Sequence, residues 1–327
     1  MAAPPHLDEF ARIARFFAPL AGAGGLGLKD DVALIDGPAG TQYVLKTDAI
    51  VEGVHYLPGD PPRQVAQKLL RVNLSDLAAK GAAPVGYLLT TALPPACDEA
   101  WLEEFSAGLA ADQAEYGIAL LGGDSVATPG PATLSVAAIG IVKAGRAVLR
   151  SGARAGQLVF VSGTLGDAAL GVLAAKGRDL GVGAAECAYL VDRFRLPRPR
   201  LNLGARLAGI ASAMMDISDG LVADFGHLCD ASGLAGVVEA GRVPLSQAAH
   251  AALARDGGLI ASVLGGGDDY ELLFTAPKGA EPALAGLARE TGVGVTAIGW
   301  VEMGQGVRVL DKGGKELALA VKGYEHF

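Results

Sequence analysis

The chain has 327 residues, 51% of them hydrophobic and 19% charged, with 47 glycines and a formal net charge of −8. That length exceeds the size at which one hydrophobic core stops growing, so two domains are expected, and the composition excludes a disordered chain. The negative balance argues against a nucleic-acid partner, which needs a basic face, and no apolar run approaches the ~20 residues of a membrane span. Cys97, Cys187 and Cys229 are far apart, with no CxxC spacing, and the N-terminus carries Asp8 and Glu9 where a signal peptide would be basic and then apolar. A reduced, cytoplasmic setting is expected.

Residues 8–20 repeat apolar positions at Phe10, Ile13, Phe16, Phe17 and Leu20, which predicts an amphipathic helix capped by Asp8. Gly22, Gly24 and Gly27 spell GxGxxG, but after a helix and before a strand, the reverse of the dinucleotide-binding order. Strands are expected at 32–35 and 43–47, then a helix from Pro61-Pro62 to about Lys80, a strand at 85–92 and a helix from Asp98 to Tyr116. A short buried strand at 118–121 should end in Gly122-Gly123-Asp124-Ser125, followed by a strand at 133–142. The pattern restarts near Arg146, so the expected domains are 1–145 and 146–327. In the second, strands at 158–162, 213–217, 270–275, 294–301 and 306–310 mix with helices at 184–195, 199–211, after Gly220, and around 280–291. The class is α/β or α+β.

Five places set aspartate at an element end beside small residues: Asp30-Asp31, Thr47-Asp48, Asp76, Asp124 and Asp216 with Asp219. Each alone has an ordinary explanation, such as a turn, a helix cap, or an Asp76–Lys80 pair one helical turn apart. Together they imply something more. If the strands before Asp48, Asp124 and Asp216 are neighbours, their carboxylates converge with too few cations beside them, and hard divalent ions would neutralise them. Magnesium fits an all-oxygen set that also serves phosphate. The runs Gly122-Gly123 and Gly163–Gly166 could present backbone N–H groups to phosphate oxygens, and Arg150 and Arg154 could clamp them.

The motifs Phe10–Phe17, Asp30–Leu34, Thr47-Asp48 to Gly53-Val54-His55, Val72–Ala79, Leu121–Asp124, Arg150–Gly152, Asp216–Leu221, Gly266–Leu272 and Lys322–Phe327 follow one another along nearly the whole chain. In this order they resemble the thiamine-monophosphate kinase family, within the superfamily of aminoimidazole ribonucleotide synthetase and selenophosphate synthetase. The resemblance implies an N-terminal α/β domain whose strands complete a barrel across a homodimer, and a C-terminal α+β domain. It implies ATP-dependent phosphorylation of thiamine monophosphate to thiamine diphosphate with several magnesium ions. It further implies metal ligands at Asp31, Thr47, Asp48, Asp76, Asp124, Asp216 and Asp219, ATP contacts at Gly123, Asp124, Arg150 and Ser218, and substrate contacts at His55, Asp268 and Tyr324. The chain departs from the family pattern twice, with Lys46 where a small hydroxylic residue is common and Asp268 where glutamate is usual.

A phosphate monoester has a second pKa near ~6, so the attacking oxygen is largely ionised at neutral pH and no general base is required. Two other readings fit the same acids. One is an ATP-dependent synthetase with a different acceptor; the other is a cation- or nucleotide-binding module without turnover.

Overall fold

The computed structural model describes residues 9–318 and Gly323. Asp8, Tyr324 and the ending around it lie outside these. The first half comprises α1 (Glu9–Arg12), β1 (Ala33–Asp36), β2 (Thr41–Val51), α2 (Pro62–Ala79), β3 (Ala83–Leu93), α3 (Glu99–Tyr116), β4 (Ala119–Ala127) and β5 (Thr133–Lys143). Its sheet runs β1-β2-β5-β3-β4, antiparallel except for the β3–β4 pair.

β5 alternates strictly between buried and half-buried residues, as a strand with one core-facing side should. Val44, Ile50, Leu134, Val136 and Ala138 join Val65, Leu69, Leu70, Leu74 and Leu77 of α2 in one core. Asp98 caps α3 by accepting from the Trp101 N–H at 2.9 Å, and Gly117 ends it in a left-handed conformation.

Helix α2 also belongs to the second half, because Ala78 and Ala79 pack with Leu203, Leu207 and Met214. It therefore offers polar side chains to both halves at once. Fourteen of its residues are buried, including Lys68, Arg71, Asn73 and Asp76. Burial of so many polar groups requires partners, and those partners define the site below.

The second half contains β6 (Leu158–Ser162), α4 (Asp167–Ala175), α5 (Ala184–Arg195), α6 (Leu201–Leu207), β7 (Ala213–Asp216), α7 (Leu221–Ser232), β8 (Ala235–Glu239), α8 (Gln247–Arg255), α9 (Ile260–Gly265), β9 (Leu272–Ala276), α10 (Glu281–Thr291), β10 (Val295–Glu302) and β11 (Val307–Leu310). Its sheet runs β11-β8-β10-β6-β9-β7 and is antiparallel apart from β11–β8. A mixed α/β half thus precedes an α+β half, as the family resemblance implied. Among the described residues no helix is long and apolar enough to cross a membrane.

Two expectations need correction. The N-terminal helix is α-helical only to Arg12, continues as a π turn over Ile13–Phe17 and a 3₁₀ turn over Ala18–Leu20, and buries no residue. Pro19, which cannot donate to a continuing helix, falls in that last turn. The strand expected to be short and buried at 118–121 is instead nine residues long, runs through Gly122-Gly123-Asp124, and is exposed along its whole length. It is the edge of its sheet, with β3 on one side.

Candidate active site

The site begins at β2, where side-chain alternation puts Lys46 and Asp48 on the same face. Lys46 Nζ lies 3.1 Å from Asp48 Oδ1 and 3.1 Å from Asp76 Oδ2 of α2. Asn73, one turn before Asp76, accepts from the Asp48 N–H at 3.0 Å and so fixes strand to helix. Thr47 lies between them on the strand and is exposed, which keeps its hydroxyl out of this cluster.

Asp31 enters from the loop before β1, and Asp216 from the end of β7. Carboxylate oxygens of Asp31, Asp76 and Asp216 all lie within 4.8 Å of one another. Burial pushes Asp216 up to about 6, with Asp31 adding to it, and pushes Asp76 well above the carboxylate range despite Lys46. For Asp31 burial acts in the same direction, but Lys80 and Arg150 outweigh it and hold the group low.

The expectation of too few cations is therefore corrected. Lys80 reaches Asp30 at 2.9 Å, Asp31 at 3.0 Å and the Met214 carbonyl at 3.3 Å, instead of pairing with Asp76. The Arg150 guanidinium binds both oxygens of Asp31, its Nε at 2.9 Å, and its backbone N–H donates to Asp30 at 2.9 Å. Arg154 is exposed on a turn. Lys46, Lys80 and Arg150 still face six carboxylates, those of Asp30, Asp31, Asp48, Asp76, Asp216 and Asp219. The excess is negative, and the buried Asp216 carboxylate has only the Ser75 hydroxyl beside it and no cation in contact. An all-oxygen group with such a buried carboxylate fits a hard divalent cation such as magnesium.

These acids line a cavity of about 910 Å³, which also takes in His55, Arg150, Ser218 and Asp268. His55 Nδ1 accepts from the Val51 N–H at 3.0 Å, which places the ring proton of the neutral form on Nε2. Lys68 ties His55 to Asp268: its Nζ donates to the His55 carbonyl at 2.8 Å and to Asp268 Oδ2 at 3.3 Å, above the Phe194 ring at 3.9 Å. Asp268 and Tyr270 have φ of 70° and 51°, a strained region for non-glycine residues costing on the order of 1 kcal/mol each. The loop is held there because the Asp268 N–H donates to the Ser218 carbonyl at 2.8 Å and the Tyr270 N–H to Ile217 at 2.8 Å. Gly267 permits the approach, since a Cβ there would stand 2.0 Å from the Ser218 oxygen.

Three sequence readings do not survive. Asp219 does not cap α7; Asp224, inside its first turn, accepts from the backbone N–H groups of Ser218, Asp219 and Gly220 at 3.0, 3.0 and 3.1 Å. The Gly163–Gly166 run is not an open phosphate cradle: the N–H groups of Gly163, Leu165 and Gly166 go to Gly294, Pro244 and Asp269. Gly123 and Asp124 do not converge with Asp48 in one protomer, because β5 and β3 separate β2 from β4. Three strand spacings put them about 14 Å apart. Gly123 has a packing reason of its own, as a Cβ there would stand 1.8 Å from the Leu89 oxygen on β3. Lys68, Lys80 and Asp224 were missed as site residues; Lys68 and Asp224 each interrupt an apolar helical face, and Lys80 directly follows α2.

Residues 29–142 match the family model for the AIR synthase related protein N-terminal domain, and 154–312 that for its C-terminal domain. The thiamine-monophosphate kinase of Caulobacter vibrioides is 41% identical over 95% of this chain and 88% of its own length. That of Salmonella typhimurium is 39% identical over 98% of both chains. Among solved structures, "AaThiL complexed with AMPPCP and TMP" superposes with a TM-score of 0.84 at 33% identity, covering 98% of this chain and 97% of that one. The thiamine-monophosphate kinase of Stenotrophomonas maltophilia K279a gives 0.77 at 41%, covering 93% and 96%. Similarity of this extent, across motifs that line one acidic cavity, places the chain in the thiamine-monophosphate kinase family.

Proposed function

We infer that this chain transfers the γ-phosphoryl group of ATP to the phosphate of thiamine monophosphate, giving thiamine diphosphate. The observation that carries the reading is the convergence of Asp31, Asp76 and Asp216 in a cavity that also holds Ser218 and His55. Asp31, Asp76 and Asp216 would hold magnesium, with Asp48 and Asp219 at its edge. Magnesium bound there supplies charge neutralisation for two anions that must meet in line. The protein's own part is placement. Arg150 and Ser218 border the nucleotide, and His55 lines the cavity on the acceptor's side. Asp268, steadied by Lys68, is a carboxylate acceptor suited to the cationic thiamine body. No side chain need remove a proton, because the acceptor phosphate is already ionised. The test is magnesium-dependent ADP formation that requires thiamine monophosphate; folded protein without such turnover would sink the reading.

A second copy completes the assembly in this reading, each protomer lending its first sheet to a shared barrel. Strand β4 supports it: an exposed edge with Leu120, Leu121 and Val126 all turned to solvent, beside Val85 and Leu88 on β3. Gly123 and Asp124 lie on that edge, so their ATP and metal roles belong to the pair. Leu121→Lys should shift sedimentation from dimer to monomer at micromolar concentration, and an unchanged dimer would place the interface elsewhere. The domain division at residues 145 and 146 falls between β5 and β6. A cytoplasmic setting is part of the same reading, supported by the unpaired thiols Cys97, Cys187 and Cys229.

A further inference from the structure

We propose that the Lys46 ammonium is a resident cation of the metal site, standing between Asp48 and Asp76 where a divalent ion would otherwise bind. The chain then works with one divalent ion fewer than its acids alone would take up. This rests on the phosphotransfer reading above and concerns how that site is charged.

The geometry divides the acids into two groups. Asp31, Asp76 and Asp216 offer oxygens close enough together to share an ion. Asp48 is not in that group. Its Oδ1 is engaged by Lys46 Nζ at 3.1 Å, and the same nitrogen lies 3.1 Å from Asp76 Oδ2. A magnesium ion bridging Asp48 and Asp76 would need both oxygens at about 2.0–2.1 Å. The ammonium stands in that bridging position, and like charges would repel at such range.

Lys46 is also committed to the place. Alternation on β2 points it to the Asp48 face, and the strand is paired with β5 on both sides of residue 46. Helix α2 brings Asp76 opposite, with Asn73 locking helix to strand through the Asp48 N–H. The side chain is only 13% exposed, so it has little room to swing into solvent. On the other side, Asp216 is buried with the Ser75 hydroxyl as its neighbour and no cation in contact, the state expected where a divalent ion is still required. Lys46 thus serves the Asp48–Asp76 pair, and Lys80 and Arg150 serve Asp31, while among the described residues no ion pair reaches Asp216.

The test is a count of bound Mn²⁺ per protomer, read by the loss of the free-ion paramagnetic resonance signal, on the full chain with AMPPCP. Lys46→Ser should bind one more Mn²⁺ than the wild type, and Lys46→Arg should keep the wild-type number. If Lys46→Ser does not fold, Lys46→Gln carries the same expectation as the serine variant. An equal count in the wild type and the uncharged variant overturns the role of Lys46 while leaving the metal site intact. The same gain in Lys46→Arg also overturns it. A wild type that binds no Mn²⁺ overturns both this inference and the metal reading on which it rests.

Discussion

Asp216→Asn should lower kcat/KM on the order of 10³-fold while the protein stays folded. Asparagine keeps the size and one oxygen but removes a charge from the group that Asp31, Asp76 and Asp216 form within 4.8 Å. About 4 kcal/mol of transition-state charge stabilisation corresponds to such a loss. The metal-free fold should respond in the opposite direction. Asp216 is raised from 3.8 to about 6 by burial first and Asp31 next. The folded chain therefore holds that proton more tightly than the unfolded chain. Between pH ~4 and ~6 the folded state binds more protons, so metal-free stability falls as pH rises through this window. The introduced asparagine does not titrate. In chelator, the variant's melting temperature relative to wild type should rise from pH 4 to pH 6, and added magnesium should stabilise only the wild type. Unchanged activity would remove Asp216 from the ligand set.

Much of the fold was legible because its signals are local. The helix that became α2 announces itself by Pro61-Pro62 and by apolar residues at helical spacing, and α3 by Asp98 and Gly117 at its ends. β8, α8 and α9 were not read. The first is five residues long, the alanine-rich Gln247–Arg255 spans nine, and Ile260–Gly265 only six. The N-terminal segment shows the converse failure. Its apolar spacing is helical, yet Phe10, Phe16, Phe17 and Leu20 remain exposed, so periodicity described a face without a core to receive it.

The site divides along the same line. Asp31 and Asp216 could be found at element ends, and Asp48 and Asp76 as carboxylates among apolar residues, although β2 runs on to Val51 past the strand end expected at 47 and Asp76 lies inside α2. Their counter-ions could not. Lys80 lies one helical turn from Asp76 in sequence, but the chain brings Asp30 and Asp31 to it across 49 and more residues. Asp124 shows what sequence order hides. Its strand pairs with β3, and the order β1-β2-β5-β3-β4 carries it to the sheet edge away from Asp48. Which strands neighbour one another is a property of the assembled sheet, and a motif at a strand end does not contain it.

Glu271→Ala should be the most destabilising single change near the site, costing about 3–5 kcal/mol through charges left behind. Glu271 is fully buried, and its carboxylate takes Arg193 at 3.1 Å, Arg200 through both Nε at 2.7 Å and Nη2, and the Ser162 hydroxyl at 2.5 Å. Arg193 is itself buried, with Nη1 already lacking a partner. Removing the carboxylate thus strands one buried guanidinium and a second partly buried one. The damage should reach the active site, because the Glu271 carbonyl accepts from the Ile217 N–H at 2.9 Å, next to Asp216. Denaturant unfolding measures the loss, and a second substitution identifies its cause. If the cost comes from uncompensated charge, Glu271→Ala with Arg193→Met should recover part of the stability, since the buried cation is removed with its partner. If it comes from lost packing, the double variant should be weaker than either single one. A Glu271→Ala loss below ~1 kcal/mol would mean that water reaches both arginines, and the buried pairing would then contribute little to the fold.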